Sequence, residues 1–332
     1  MENNLKLNFN IKEFKTPIYT IPDFTNKLID LNESFIEFTP IINEKYFLWV
    51  ESLKEIFKTK KWKVEKPFFQ EIITYCGHIG NTLDCDEFLT FLKFTTIAII
   101  LDDLVFEKIN SLKINSKERD LLINSLTIEK YKDNSIFGSN YWEILNQFKK
   151  YTHLYSFNRI KNSNTLWIKS TIENNNNCSI NSDYSFNEYF QKRSSDVSGD
   201  FILTMCMLGI KDQYIEDSIF NSKHFQIINF HAKSFYILVN DLYSFKREIN
   251  ENDLLNYVKI LAIQLNSIQM SIEKVIELIV YHYNQFLLSI ETILKLYEKE
   301  EQTYKLLKKV FQIVKKTISG IYFAHKRCKR YN

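Results

Sequence analysis

Proline is confined to the N-terminal end of this 332-residue chain: Pro17, Pro22, Pro40 and Pro67 are the four it has, and residues 68–332 contain none. Long helices are therefore unobstructed over most of the sequence. Cysteine is also sparse. The five, Cys76, Cys85, Cys178, Cys206 and Cys328, are odd in number and scattered, with no CxxC pair, which argues against a disulfide framework or a structural zinc. The N-terminus, MENNLKLNFNIKEF, lacks a basic stretch followed by an apolar run, and no uncharged apolar segment approaches the roughly 20 residues of a membrane span. A soluble, cytoplasmic protein without integral membrane association is expected. Charge of one sign is missing too, since 43 basic residues face 40 acidic ones for a net of +3, and this excludes nucleic-acid binding by bulk charge. Glycine, with six residues, and alanine are scarce beside abundant Asn, Ile, Lys, Phe and Tyr, a skew that suits an AT-rich coding sequence and carries no functional reading.

What is present is 45% hydrophobic, 15% aromatic and 25% charged residues, the composition of a chain with a large core. Residues 1–40, with TPIYTIPDF and EFTP, read as an extended strap. From Asn43 to about 331, apolar residues recur at three- and four-residue spacing, as in NEKYFLWVESLKEIF, DEFLTFLKFTTIAIIL, NYWEILNQFKKYTHLYSF, FNEYFQKRSSDVSGDFILTMCMLG and HFQIINFHAKSFYILVNDLYSF. An all-α helical bundle is expected. No repeat or Ser/Gly-rich linker divides it, and the polar stretch 173–183 reads as a loop, so residues 1–332 are taken as one domain.

Two acid- and oxygen-bearing segments follow apolar helical stretches. The first is Asp102-Asp103-Leu104-Val105-Phe106-Glu107, behind the uncharged run 94–101. Asp103 and Glu107 lie one helical turn apart with Asp102 beside them, an arrangement that repels itself unless a cation sits between the carboxylates. Hard oxygen ligands of this kind suit Mg²⁺. Ordinary surface acids at a helix end are the alternative. The second is Asn240-Asp241-Leu242-Tyr243-Ser244-Phe245-Lys246-Arg247-Glu248, in which Asn240, Ser244 and Glu248 recur at four-residue spacing along one stripe. An amide oxygen, a hydroxyl and a carboxylate in line can chelate one hard cation, or else serve as hydrogen-bonding groups at the edge of the core. Together the two stripes suggest jaws around a polyanion.

With these motifs the chain resembles the class I terpene synthases of the microbial, single-domain type. That family carries a DDxx(x)D/E motif and an NDxxSxx(K/R)(D/E) motif on facing helices, and DDLVFE and NDLYSFKRE are similar to both. It also carries a diphosphate-sensing Arg with an Asp three residues on, matched by Arg193, 47 residues before Asn240, and Asp196. A terminal Arg-Tyr pair is matched by Arg330-Tyr331. The four matches span residues 102–331.

The resemblance implies an all-α bundle of that type with a central cavity, and a lyase that ionises an isoprenyl diphosphate, farnesyl diphosphate in the first instance, to give a sesquiterpene. It implies three Mg²⁺ ions: two on Asp102, with Asp103 and Glu107 nearby, and a third on Asn240, Ser244 and Glu248. Arg193, Arg247, Arg330 and Tyr331 would grip the diphosphate. Asp196 would couple Arg193 to a helix break at 197–199, near Gly199, where the family places a carbonyl that helps trigger ionisation. One-turn steps from these residues give the expected pocket: Phe94, Thr95, Ala98 and Ile99 before Asp102, Tyr189 and Phe190 before Arg193, and Phe235 and Tyr236 before Asn240. Monomer and homodimer are both compatible with the family.

The chain departs from the pattern in the three-residue gap before Glu107, and in offering Tyr322, Phe323 and Ala324 where family members often have a Trp. The competing readings are a chain-elongating prenyl transferase of the same fold, expected to carry two aspartate-rich motifs, and a non-catalytic helical scaffold. His224 and His231, two turns apart on one helix with no third ligand spaced to join them, read as structural.

Overall fold

The computed structural model describes residues 19–36, 39–53, 66–102, 116–127, 136–176, 184–194, 204, 206–211, 213–249 and 255–328. Among them every regular element is helical, as the periodicity predicts. The α-helices run α1 Pro40–Ser52, α2 Lys66–Ile79, α3 Cys85–Ile100, α4 Ser116–Thr127, α5 Ile136–Gln147, α6 Leu154–Asn176, α7 Phe186–Arg193, the single turn α8 Asp217–Phe220, α9 Lys223–Glu248, α10 Tyr257–Leu265, α11 Ile268–Leu296 and α12 Glu301–Arg327. Helix starts follow local chemistry. Thr39 caps α1 with Pro40 at its first position, where the missing N–H costs nothing. Asp84 and Glu87 form a reciprocal capping box at α3, and Ser185 and Glu188 form another at α7. Two expectations need adjustment. The pattern over 140–157 is broken after a 3₁₀ turn at Phe148–Lys150, where Lys211 O accepts the His153 N–H (2.9 Å), and α6 runs into the polar stretch as far as Asn176.

The long helices α9 and α11 pack along each other, α12 packs on α2, and α2 in turn packs on α3. The α2–α12 crossing is backbone on backbone: a Cβ on Gly320 would collide with the His78 carbonyl oxygen and lie 2.9 Å from Ile79 Cα, so only glycine allows it. The N-terminal segment from Tyr19 is extended around a 3₁₀ turn at Thr25–Lys27 and buries Phe24, Leu28 and Leu31. Its end is tied to α12. Lys326 Nζ donates to Asp23 and Thr25 (both 2.9 Å), and the Arg327 guanidinium forks onto Glu33 (3.1 and 2.9 Å).

Between α9 and α11 the imidazoles of His231 and His282 meet, Nδ1 to Nδ1, at 2.9 Å within a ring cluster of Phe186, Phe230 and Tyr281. Burial pushes both below their ordinary 6.5, and His282, with His231 against it, goes down to about 4. Both are neutral when folded and bind protons more readily when unfolded. Their contribution is therefore complete above about pH 6.5 and is lost as pH falls from there towards 4. Thermal melts are expected to show about 3 kcal/mol lost across this window. In His282→Phe the loss over the same window is expected to be visibly smaller; an unchanged pH dependence would assign it elsewhere.

Candidate active site

The α9 stripe is where local burial and chemistry disagree. From Ser234 to Phe245 every residue of α9 is buried except Asn240, which is half-open. On the same face Ser244 is fully buried and Glu248 nearly so. A helix that hides twelve consecutive positions but one must have a space beside that one. In α3 the stripe Thr95, Ala98, Ile99 and Asp102 is likewise half-open, while Phe94, Thr96, Ile97 and Ile100 are buried. Leu101 and Asp102 are wound as π-helix, a local widening frequent at functional sites.

Around Asn240 the contacts are directional. Arg193 Nη2 donates to Asn240 Oδ1 (3.3 Å) and lies 3.8 Å from Asp241 Oδ1. On the other side of the amide, Asn240 Nδ2 meets His325 Nε2 at 3.2 Å. Arg247 Nη2 donates to Glu248 Oε1 (3.2 Å), and Asn256 Nδ2 donates to Glu248 Oε2 (2.8 Å). Asn256 also donates to the Asp241 carbonyl (2.8 Å), and its own Oδ1 accepts the Val258 and Lys259 N–H groups at the start of α10. One buried amide therefore caps a helix and holds a carboxylate. Neither Asn256 nor His325 was found from the sequence, because no helical period links either to the motif.

Asp241 points the other way, into the protein. It accepts from the Tyr189 hydroxyl (2.6 Å) and the Tyr257 N–H (3.0 Å). Burial pushes its carboxyl up to about 7, opposed by the Arg193 guanidinium and reinforced by the Glu248 charge. It anchors α9 to α7 and α10.

The residues predicted to line the pocket divide. Thr95, Ala98 and Ile99 share the half-open face with Asp102. Tyr236 sits with its hydroxyl 3.5 Å from that of Tyr75 and its ring beside His325. The other four rings have neighbours of their own. Phe94 lies against Tyr141 and Phe148, Phe190 against Phe230 and Phe235 against Tyr283, while Tyr189 is bound to Asp241. A helix buried on several faces places its adjacent residues against different neighbours. A small chamber of about 30 Å³ lies farther down α9, where Ala232, Ile228 and Phe225 face Met207, Phe220 and Phe311. With 1.5 Å rise per residue, Ala232 is about 12 Å below Asn240 along α9. Asp103, Glu107, Asp196, the expected break at 197–199, Arg330 and Tyr331 lie outside the described residues.

The donor set fits a hard cation. Asp102, Asn240, Ser244 and Glu248 offer carboxylate, amide and hydroxyl oxygens, and the one imidazole nearby has its Nε2 on the Asn240 amide. Among the described residues no group of three or more His, Cys, Asp or Glu is placed to hold a metal ion. No described helix is long and apolar enough to cross a membrane.

Comparison with known proteins converges on these helices. Residues 93–285 match the family model described as terpene synthase family 2, C-terminal metal binding. Over the full length of both chains, the sequence is 58% identical to Terpene synthase 4 of Dictyostelium discoideum. It is 29% identical to Terpene synthase 11 of Dictyostelium purpureum, covering 99% of this chain and 96% of that one. Among solved structures, hedycaryol synthase in complex with nerolidol superposes with a TM-score of 0.68 at 12% identity, over 92% of this chain and 99% of that one. The a-eudesmol synthase structure superposes with a TM-score of 0.70 at 10% identity, over 93% and 98%. With a family model covering more than half of its residues and a full-length relative at this identity, the chain belongs to the terpene synthases, and its bundle is theirs.

Proposed function

We propose that this terpene synthase ionises an isoprenyl diphosphate, farnesyl diphosphate in the first instance, with Mg²⁺, and lets the resulting carbocation cyclise or rearrange to a sesquiterpene. The observation that carries the reading is the Asn240–Ser244–Glu248 stripe, open at Asn240 on an otherwise closed face of α9 and backed there by Arg193. Asn240, Ser244 and Glu248 would hold one ion and Asp102 two, with Asp103 and Glu107 as the remaining carboxylates of the first motif. When bound, the metal supplies charge neutralisation for the departing diphosphate.

The chain's own side chains do the rest. Arg193, at the end of α7, and Arg247, at the end of α9, offer fixed guanidinium donors to diphosphate oxygens, joined by Arg330 and Tyr331, and Asp196 orients Arg193. Asn256 and Arg247 keep the Glu248 carboxylate from rotating away. Thr95, Ala98 and Ile99 present no strong nucleophile to a cation, and an aromatic face that meets the cation would stabilise it by about 0.5–2 kcal/mol. The whole chain acts as one catalytic domain, in the cytoplasm.

A chain-elongating prenyl transferase would use the same fold, but the second motif carries an amide and a hydroxyl where a second aspartate-rich motif would carry carboxylates. The two readings separate when the protein is given farnesyl diphosphate together with isopentenyl diphosphate. The proposal expects a volatile terpene and no lengthened diphosphate; accumulation of geranylgeranyl diphosphate would replace it with the transferase.

A further inference from the structure

His325 belongs to none of the recognised motifs, yet it is fully buried one turn from the C-terminal end of α12 and touches Asn240. Its Nδ1 lies 2.7 Å from the Ile321 carbonyl oxygen. A carbonyl oxygen can only accept, so Nδ1 carries a proton, and in the neutral ring Nε2 then carries a lone pair. A lone pair facing an amide 3.2 Å away requires the amide to present its NH₂. The Asn240 oxygen is thereby turned to the opposite side, where Arg193 donates to it. The ring cannot swivel freely, because Tyr75 and Tyr236 flank it at 5.4 and 5.9 Å between centroids, and their hydroxyls stand 3.5 Å apart.

We infer that His325 is a positioning residue: a helix carbonyl sets its tautomer, the tautomer sets the orientation of the Asn240 amide, and that orientation aims the ligand oxygen of Asn240 at the metal site. The inference rests on the reading of Asn240 as a metal ligand. An unconstrained asparagine spends part of its time with NH₂ towards the cation, which repels it. A fixed outer partner removes that orientation, and loss of such partners at metal sites weakens metal binding by about 10–100-fold.

The test has two arms. In wild-type protein, ¹⁵N–¹H correlation spectra of the His325 ring should show a protonated Nδ1 and a pyridine-like Nε2; the opposite tautomer overturns the inference without any substitution. The second arm compares His325→Gln with His325→Met. Both side chains reach as far as Nε2, but only glutamine ends in an acceptor. The methionine variant should need about 10–100-fold more Mg²⁺ for half-maximal turnover, and the glutamine variant should recover most of that loss. Equal Mg²⁺ requirements in both variants would overturn the inference, since a purely space-filling histidine predicts that result. If wild-type protein itself fails to release diphosphate with Mg²⁺, it is the proposed function that falls, and the tautomer spectrum still reports on the His325–Asn240 pair.

Discussion

Asn240→Ala and Asp102→Ala each lower diphosphate release by at least about a thousandfold, while the protein still melts cooperatively. Asn240 is the half-open position on a face of α9 that is otherwise closed, and its removal takes away the oxygen to which Arg193 donates and which is proposed to bind the cation. Preorganised groups that meet developing charge in a site shielded from water contribute on the order of 10²–10³ each, and loss of a metal ligand adds the loss of the ion. The structural cost is smaller. His325 and Arg193 each lose one hydrogen-bond partner, about 1–3 kcal/mol. Product formation from radiolabelled substrate, read beside a thermal melt, checks both halves of the expectation. Turnover within tenfold of wild type in either variant would remove that residue from the ionising machinery.

The second large effect is expected at Asn256, where stability and activity fall together and can be separated. Asn256→Ala removes the cap of α10, about 0.5–2 kcal/mol. It also strips the Glu248 carboxylate and the Asp241 carbonyl of a buried donor, with about 1.5–3 kcal/mol for the charged contact alone. The melting temperature should drop by about 3–7 °C. Asn256→Ser keeps a good capping group but is too short to reach Glu248. It should regain most of the capping part of the stability and still require more Mg²⁺ than wild type. If serine restored the Mg²⁺ requirement along with the melting temperature, Glu248 would owe nothing to Asn256, and the clamp would be only a cap.

Much of this architecture is legible in the order of residues, and the parts that are not share a physical cause. The absence of proline after Pro67 and the three- and four-residue apolar spacing are local facts, and helices are local structures, so α3, α9 and α11 follow from them. Thr39–Pro40 and the Asp84–Glu87 and Ser185–Glu188 pairs mark helix starts within four residues of sequence. The Asn240–Ser244–Glu248 stripe is legible for the same reason. His325 and Asn256 are not, because the first reaches Asn240 across 85 positions and the second reaches back past the end of α9 after the chain has turned. Periodicity also cannot rank faces on a helix that is buried nearly all round. Phe94 and Thr95 are neighbours in sequence, yet one packs into the core against Tyr141 while the other shares the half-open face with Asp102.

The central claim is that these oxygens and guanidinium groups ionise an isoprenyl diphosphate with Mg²⁺. The most direct measurement incubates the purified chain with geranyl, farnesyl and geranylgeranyl diphosphates in turn, with Mg²⁺ and with a chelator, and analyses the extracts by gas chromatography with mass detection. The account predicts a terpene hydrocarbon or alcohol from farnesyl diphosphate that disappears with the chelator. All three diphosphates returned intact by a demonstrably folded protein would contradict it.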